Sequence, residues 1–235
     1  MCIRDRGYTG RLILIGDEPH LPYERPPLSK GLLQGSTDLA GCSLCDSQRM
    51  AALGIEHIAG NPVTRLEPHQ HRLQLADGQW LDFAGLLLAT GGRARRWPVE
   101  QASVLYLRTH DEALALRDAL RPGTRLVVVG GGFIGLEVAA TARGLGCQVT
   151  VLEAGPRLAG RVLPPVISEA LLDLHRQQGV EVRLNVALES IDADAVQLVD
   201  GQRLPCDRVV VGIGMQPNLE LAAAAGLEVG QGIRV

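Results

Sequence analysis

The stretch RLVVVGGGFIGLEVAATARGLGCQVTVLEAGPRL, beginning at Arg125, constrains the fold more than any other part of the chain. A β-branched apolar run ends in glycines, a helical pattern follows, and a second apolar run, QVTVLE at 148–153, ends in an acid. Gly130, Gly132 and Gly135 fill the spacing G-x-G-x-x-G between the strand and the helix. The first permits a tight turn, the second lets backbone approach a pyrophosphate, and the third lets the helix pack closely on the sheet. Free N–H groups of the first helical turn then hold a phosphate, with Gly131 and Ile134 completing the cradle. Glu153 stands 23 residues after Gly130, placed to accept hydrogen bonds from an adenosine ribose 2′-OH and to repel a 2′-phosphate. The order predicts a dinucleotide-binding unit that prefers NAD (NADH over NADPH), with Arg157 a nearby cation able to soften the repulsion. The plainer alternative, a glycine-rich turn without a ligand, is disfavoured by the flanking strand and helix.

An internal repeat extends this reading. Shifted by 123 positions, QLADGQWLDFAGLLLATGG from Gln74 lies without a gap over QLVDGQRLPCDRVVVGIGM from Gln197. In each copy Asp-Gly (Asp77-Gly78, Asp200-Gly201) makes a hairpin turn, and an apolar strand then runs into a glycine-bearing tip. RLILIG at 11–16, LLLAT at 86–90, RLVVVG at 125–130, EVRL at 181–184 and RVVVGIG at 208–214 read as strands. DEALALRDA around 111–119 and residues 166–178 read as helices, the latter with Ile167, Leu171 and Leu174 on one apolar face. Strands alternating with helices are the grammar of an α/β protein. RLILIGDEPHL also pairs with QVTVLEAGPRL at a shift of 137, which puts the matching glycine fingerprint before Met1. Gly7 and Gly10 then remain from a helix-to-strand turn, and MCIRDR reads as an artificial start.

Composition narrows the function classes. The 235 residues carry 23 Lys+Arg against 26 Asp+Glu, a net charge of -3, so no basic stripe offers nucleic acid a footprint. No apolar run reaches the ~18 residues of a membrane span, and the charged start is unlike a signal peptide. Cys2, Cys42, Cys45, Cys147 and Cys206 are odd in number and scattered, as expected of reduced thiols in a cytoplasmic protein.

LPYERPPLSKGLL (21–33), ATGG (89–92), YLRT (106–109), VVVGGGFIGLEVAATA (127–142), GRVLPP (160–165) and GIGMQPN (212–218) together resemble the FAD-dependent pyridine nucleotide-disulfide oxidoreductase superfamily, within it the branch of ferredoxin, rubredoxin and putidaredoxin reductases. The resemblance implies two Rossmann-like FAD/NAD(P)-binding domains, the first incomplete. It divides the chain into a partial FAD-binding domain (1–107), an NAD-binding domain (108–226) and the start of a return to the FAD domain (227–235). It puts Asp17 at the adenosine end of FAD, Val63 and Ala89-Thr90-Gly91 at further FAD contacts, and Lys30 beside the flavin ring. Glu137 corresponds to a glutamate that pairs with this lysine and faces the nicotinamide, Arg108 to an arginine at the flavin–nucleotide site, and Gly212-Ile213-Gly214 to a tip beside the nicotinamide. Plainer roles compete: a solvated helix lysine for Lys30, a helix N-terminal acid for Glu137, a surface ion pair for Arg108.

The departures also carry information. The cysteine pairs of disulfide-reducing family members are missing, so electrons are expected to leave the flavin singly. Cys42-Ser43-Leu44-Cys45 lacks the preceding strand of a thioredoxin-like motif, His69-Gln70-His71 reads as a surface turn, Cys147 and Cys206 read as packing residues, and no metal site is expected. The implied activity is transfer of electrons from NADH through FAD to a small iron-sulfur or rubredoxin-like protein, with Lys30 and Glu137 as the catalytic pair. The alternatives are an NADH oxidase or peroxidase-type flavoprotein, or an inactive NAD-binding fragment. On this reading the chain stops before the family's last FAD contacts and holds FAD poorly.

Overall fold

The computed structural model describes residues 3–99 and 103–235. The chain forms two compact units, one of residues up to Glu24, Ala40–Gly92 and Pro217–Val235, the other of Arg25–Leu39 and Arg93–Gln216.

The second unit is built on a five-stranded, all-parallel sheet in the order Glu181–Leu184, Gln148–Glu153, Arg125–Val129, Arg208–Val211, Val104–Leu105. Its central strand is buried at every position after Arg125, as a strand covered on both faces must be. Helix Phe133–Gly144 packs on the strands that precede and follow it, Arg125–Val129 and Gln148–Glu153. Helix His110–Ala119 is started by a reciprocal cap, in which Thr109 Oγ1 accepts from Glu112 N–H and Glu112 Oε2 accepts from Thr109 N–H, both at 3.2 Å. An antiparallel sheet of Leu188–Ile191, Ala195–Leu198 and Arg203–Pro205 closes the core. Ile191, Val196 and Leu198 pack there with Val127, Val129, Leu152, Val209 and Val211. The segment Arg25–Leu39 belongs to this unit as well. A 3-10 turn at Pro26–Ser29 and a short helix at Gly31–Gln34 bury Leu28, Leu32 and Leu33 and contact helices His110–Ala119 and Phe133–Gly144.

The first unit pairs Leu12–Ile15 in parallel with Ile55–Ile58 and holds an antiparallel sheet of Val63–Glu67, Arg72–Leu75 and Trp80–Asp82. Its core gathers Leu66, Leu73 and Leu75 with Ile15, Ile58, Phe83 and Leu221. The repeat is visible in the backbone. Strands Arg72–Leu75 and Trp80–Asp82, moved by 123 positions, land on Ala195–Leu198 and Arg203–Pro205. Both hairpins turn the same way. Gly78 and Gly201 take φ of +90° and +86°, and Asp77 and Asp200 accept from the N–H of Gln79 and Gln202 at 2.9 and 3.0 Å.

Two sequence expectations need correction. LLLAT at 86–90 forms no strand, and Leu86 and Leu87 are exposed. The matching run Arg208–Val211 lies between two parallel neighbours, whereas no strand pairing of the first unit reaches 86–90. An apolar run becomes a strand only where a ladder partner takes its N–H and C=O groups. The apolar face expected on the helix at 166–178 is also turned. Helix Pro165–Gln177 buries Ser168 and His175 and exposes Ile167 and Leu174, because it meets the strand Glu181–Leu184 along the line of 168, 171, 172 and 175. The four residues Ile3–Arg6 form a 3-10 turn whose Arg4 guanidinium donates to the carbonyls of Leu53 and Gly54 at 2.8 Å; Met1 and Cys2 lie outside the described residues.

In urea denaturation Leu116→Ala, at a position with no exposure, is expected to cost about 2–5 kcal/mol. Leu174→Ala should stay within about 0.5 kcal/mol of the parent; a large loss at Leu174 would contradict the face described.

Candidate functional site

Each glycine of the turn after Val129 has its own steric reason. Gly130 takes φ of +104°, and a Cβ there would stand 2.5 Å from the carbonyl oxygen of Gly212. At Gly135 a Cβ would stand 2.2 Å from the Gly130 carbonyl and 3.2 Å from Val128, so helix and strand approach at backbone distance. Gly132 differs, since nothing lies within 4 Å of where its Cβ would be. Gly132 is also the N-cap of helix Phe133–Gly144, with no side chain capping it. Open space, uncapped N–H groups and the positive end of a twelve-residue helix together form a seat for a phosphate. The residues present thus fit an adenine dinucleotide.

A cleft of about 350 Å³ adjoins this turn within the second unit. The anticipated Arg108, Gly132, Ile134, Gly212 and Gly214 line it, and so do Ser29, Phe133 and Met215, which sequence reasoning did not single out. Phe133 and Met215 are exposed, the kind of apolar lip on which a planar ring can lie. Arg108 is half-buried, and its carbonyl accepts from Arg25 Nη1 at 2.5 Å. Ile213 points elsewhere, packing against the core cluster.

Lys30 and Glu137 come together as the resemblance implied, with Nζ 2.8 Å from Oε2. Half the lysine side chain is exposed, so the pair adds little to stability, and its value lies in placing a cation and a carboxylate at one point. The same Glu137 oxygen accepts from the buried Ser29 hydroxyl at 2.5 Å. One turn along that helix, Thr141 Oγ1 donates to the Ser29 carbonyl at 2.8 Å. Glu137 and Thr141 thus hold Ser29-Lys30 at two points, a clamp whose only sequence signal was the i, i+4 spacing of two polar residues on an apolar helix.

Glu153 is bonded at both oxygens, Oε2 accepting from Gly131 N–H and Oε1 from Gly155 N–H, each at 2.7 Å. Arg157 is committed to its own loop, donating to the carbonyls of Leu163 and Gly160 at 2.5 and 2.8 Å. The cation expected to soften repulsion of a 2′-phosphate is therefore occupied.

The remaining anticipated residues lie in the first unit. Asp17 is exposed just beyond the strand Leu12–Ile15. Val63 opens the strand Val63–Glu67, and its side chain joins the core of that unit. The Ala89-Thr90-Gly91 tip is tied to Asn218, which sequence reasoning did not select. Thr90 Oγ1 donates to the Asn218 carbonyl at 2.7 Å, Asn218 Nδ2 donates to the Thr90 carbonyl at 2.9 Å, and Asn218 N–H donates to the Gly91 carbonyl at 3.0 Å. Among the described residues of this unit no strand runs into a glycine loop and helix. Cys42, Cys45, Cys147 and Cys206 are free thiols. Burial pushes the Cys147 thiol up, and burial followed by the charge of Asp207 pushes Cys206 up to about 11.

Residues 2–235 match the model of the pyridine nucleotide-disulphide oxidoreductase family. The chain belongs to this family. Rhodocoxin reductase of Rhodococcus erythropolis is 42% identical over 243 residues, which cover 100% of this chain and 57% of that protein. Putidaredoxin reductase of Pseudomonas putida is 40% identical over 244 residues, covering 98% of this chain and 58% of that one. The fold matches the ferredoxin reductase for the CYP199A2 system of Rhodopseudomonas palustris with a TM-score of 0.95 at 42% identity, over 98% of this chain and 59% of that one. The reductase in a covalent putidaredoxin reductase–putidaredoxin complex matches with a TM-score of 0.94 at 40% identity, over 98% and 58%. The chain thus spans less than two thirds of the length of these relatives. The α/β fold expected from the sequence is the one shared with these solved reductases.

Gly135→Ala is expected to lose about 3 kcal/mol in chemical denaturation, while Gly132→Ala should change stability by no more than about 1 kcal/mol. With iodoacetamide at pH 8, Cys206 should stay unmodified in the folded chain, its thiolate being roughly one part in a thousand at that pH, while the half-buried Cys45 reacts. Peptide mass spectrometry reads both; rapid labelling of Cys206 would contradict its burial.

Proposed function

We propose that the whole protein is an NADH-dependent flavoprotein reductase that passes electrons to a small ferredoxin- or rubredoxin-like protein, and that this chain supplies its nicotinamide-nucleotide module with part of its FAD site. The observation that carries this reading is the complete glycine cradle at Gly130–Gly135 beside a cleft lined by Arg108, Ile134 and Gly212. The names of the relatives, reductases of rhodocoxin, of putidaredoxin and of the ferredoxin in a benzene dioxygenase system, support an iron-sulfur or similar carrier as acceptor.

On this reading 108–226 is the NAD-binding domain, 1–107 the partial FAD-binding domain and 227–235 the chain's return to it. Gly130, Gly131, Gly132, Ile134 and Gly135 hold the pyrophosphate through backbone N–H groups, and Glu153 receives the adenosine ribose. A carboxylate there, with Arg157 committed to loop carbonyls, favours NADH over NADPH, since a 2′-phosphate meets a negative charge. Arg108 and Gly212-Ile213-Gly214 border the nicotinamide end. FAD, held by the whole protein, supplies the conversion of a hydride into single electrons. Toward it this chain offers Asp17, Val63 and Ala89-Thr90-Gly91. Lys30 and Glu137 are the catalytic pair, the ammonium placed to stabilise negative charge and the carboxylate, oriented by Ser29, to keep that ammonium in position.

Among the described residues no helix is long and apolar enough to cross a membrane. The free thiols support a reducing compartment, the cytoplasm.

Titration calorimetry on the chain should show NADH binding at least ~10-fold more tightly than NADPH, the effect of about 1.4 kcal/mol of charge repulsion. NADPH binding equally well would overturn the preference, and binding of neither would overturn the module.

A further inference from the structure

The acid at the end of strand Gln148–Glu153 does more than the ribose contact requires. Its carboxylate joins two separate loops. One oxygen accepts from Gly131 in the turn that seats the pyrophosphate, and the other from Gly155, two residues on, in the loop that follows its own strand. Gly131 is fixed from three sides. Its N–H is held by Glu153, its carbonyl accepts from Ala159 N–H at 2.8 Å, and the place of its missing Cβ lies 2.6 Å from Leu158 Cδ2. This second loop is itself under tension, for Ala159 takes φ of +47°, a conformation unfavourable for a residue with a Cβ. Arg157 keeps that loop closed through the carbonyls of Gly160 and Leu163. Two charge-assisted bonds to backbone N–H groups therefore set the conformation of the turn before any ligand arrives, and each carboxylate oxygen keeps a second lone pair for a ribose hydroxyl.

We propose that Glu153 is a positioning residue for the phosphate cradle as well as an acceptor for the ribose, so that binding of any adenine nucleotide depends on it, including one that lacks ribose hydroxyls. This rests on the reading of the second unit as an NADH module and adds a role that the ribose contact does not contain. It also has a consequence for cofactor specificity. Reversing the charge at this position removes the repulsion of a 2′-phosphate and, in the same step, frees Gly131 and Gly155, so Glu153→Arg is expected to weaken NADH without improving on the parent's affinity for NADPH.

The decisive probe is 2′,3′-dideoxyadenosine 5′-diphosphate, which carries the pyrophosphate and no ribose hydroxyl. Calorimetry would compare it with NADH and NADPH on the parent chain, Glu153→Gln and Glu153→Arg. Gln presents one acceptor oxygen and one NH₂, and the NH₂ faces a backbone donor. If Glu153 positions the cradle, Glu153→Gln binds the dideoxy probe about tenfold more weakly than the parent, the fold-change that goes with losing one charged hydrogen bond. A ribose-only role gives the opposite sign: removing a negative charge beside an anionic ligand leaves the probe's affinity unchanged or raises it, and that result overturns the proposal. So does a Glu153→Arg chain that binds NADPH more tightly than the parent does.

Amide hydrogen exchange on the unliganded parent supplies a second measurement that needs no variant to fold. The N–H groups of Gly131 and Gly155 should be protected without ligand, and exchange at the rate of free amides would overturn the brace. Equal affinity of the parent for NADH and NADPH would sink the preference for NADH alone, the probe still deciding the role of Glu153. A parent chain that binds no adenine nucleotide would sink both.

Discussion

The second unit depends on backbone meeting backbone at the glycine turn. Gly135 approaches the carbonyl of Gly130, Gly130 approaches the carbonyl of Gly212, and Gly212 N–H donates to the Val129 carbonyl at 2.7 Å. Helix Phe133–Gly144 can sit that low on the sheet only because two residues lack side chains. From that seat its N-terminus faces open space at Gly132, and Glu137 and Thr141, one turn apart, reach the segment that carries Lys30. The steric constraint that builds the phosphate seat thus also delivers the Lys30–Glu137 pair.

Beside the glycine turn, two charged side chains of the second unit are spent on backbone groups. Glu153 accepts from two glycine N–H groups and Arg157 donates to two carbonyls. Such bonds fix loops whose ends belong to different strands, which exposed salt bridges do weakly. The cost of a left-handed Ala159 is tolerated within this frame. Selection between nucleotides and shaping of the turn then fall to one carboxylate, so they cannot be altered independently at that position.

The glycine spacing, the strands around it, both Asp-Gly hairpins and the repeat that relates them were legible because each is a local pattern. Sterics at φ > 0 select Gly78 and Gly201, and a β-branched run between turn signals marks Arg125–Val129. What was illegible depended on distant partners. Leu86-Leu87-Leu88 has the composition of the strand Arg208–Val211 without its neighbours, and helix Pro165–Gln177 turns inward a line on which Ser168 and His175 flank Leu171 and Leu172, leaving Ile167 and Leu174 exposed. Ser29 and Asn218 left no mark because a hydroxyl or an amide gains a role only from the group it meets.

The amino-acid order by itself determined the type of fold, the position of the phosphate turn, the acid that follows it and the family, since these rest on residue size, handedness and spacing over a few tens of positions. Tertiary structure alone decided that residues 25–39 pack in the second unit, that Glu137 is held by Ser29 as well as Lys30, and that Glu153 and Arg157 are bonded to backbone. The physical reason is range. Backbone torsions answer to neighbours in the chain, whereas a hydrogen bond or a buried face answers to whatever the completed packing brings within a few ångströms.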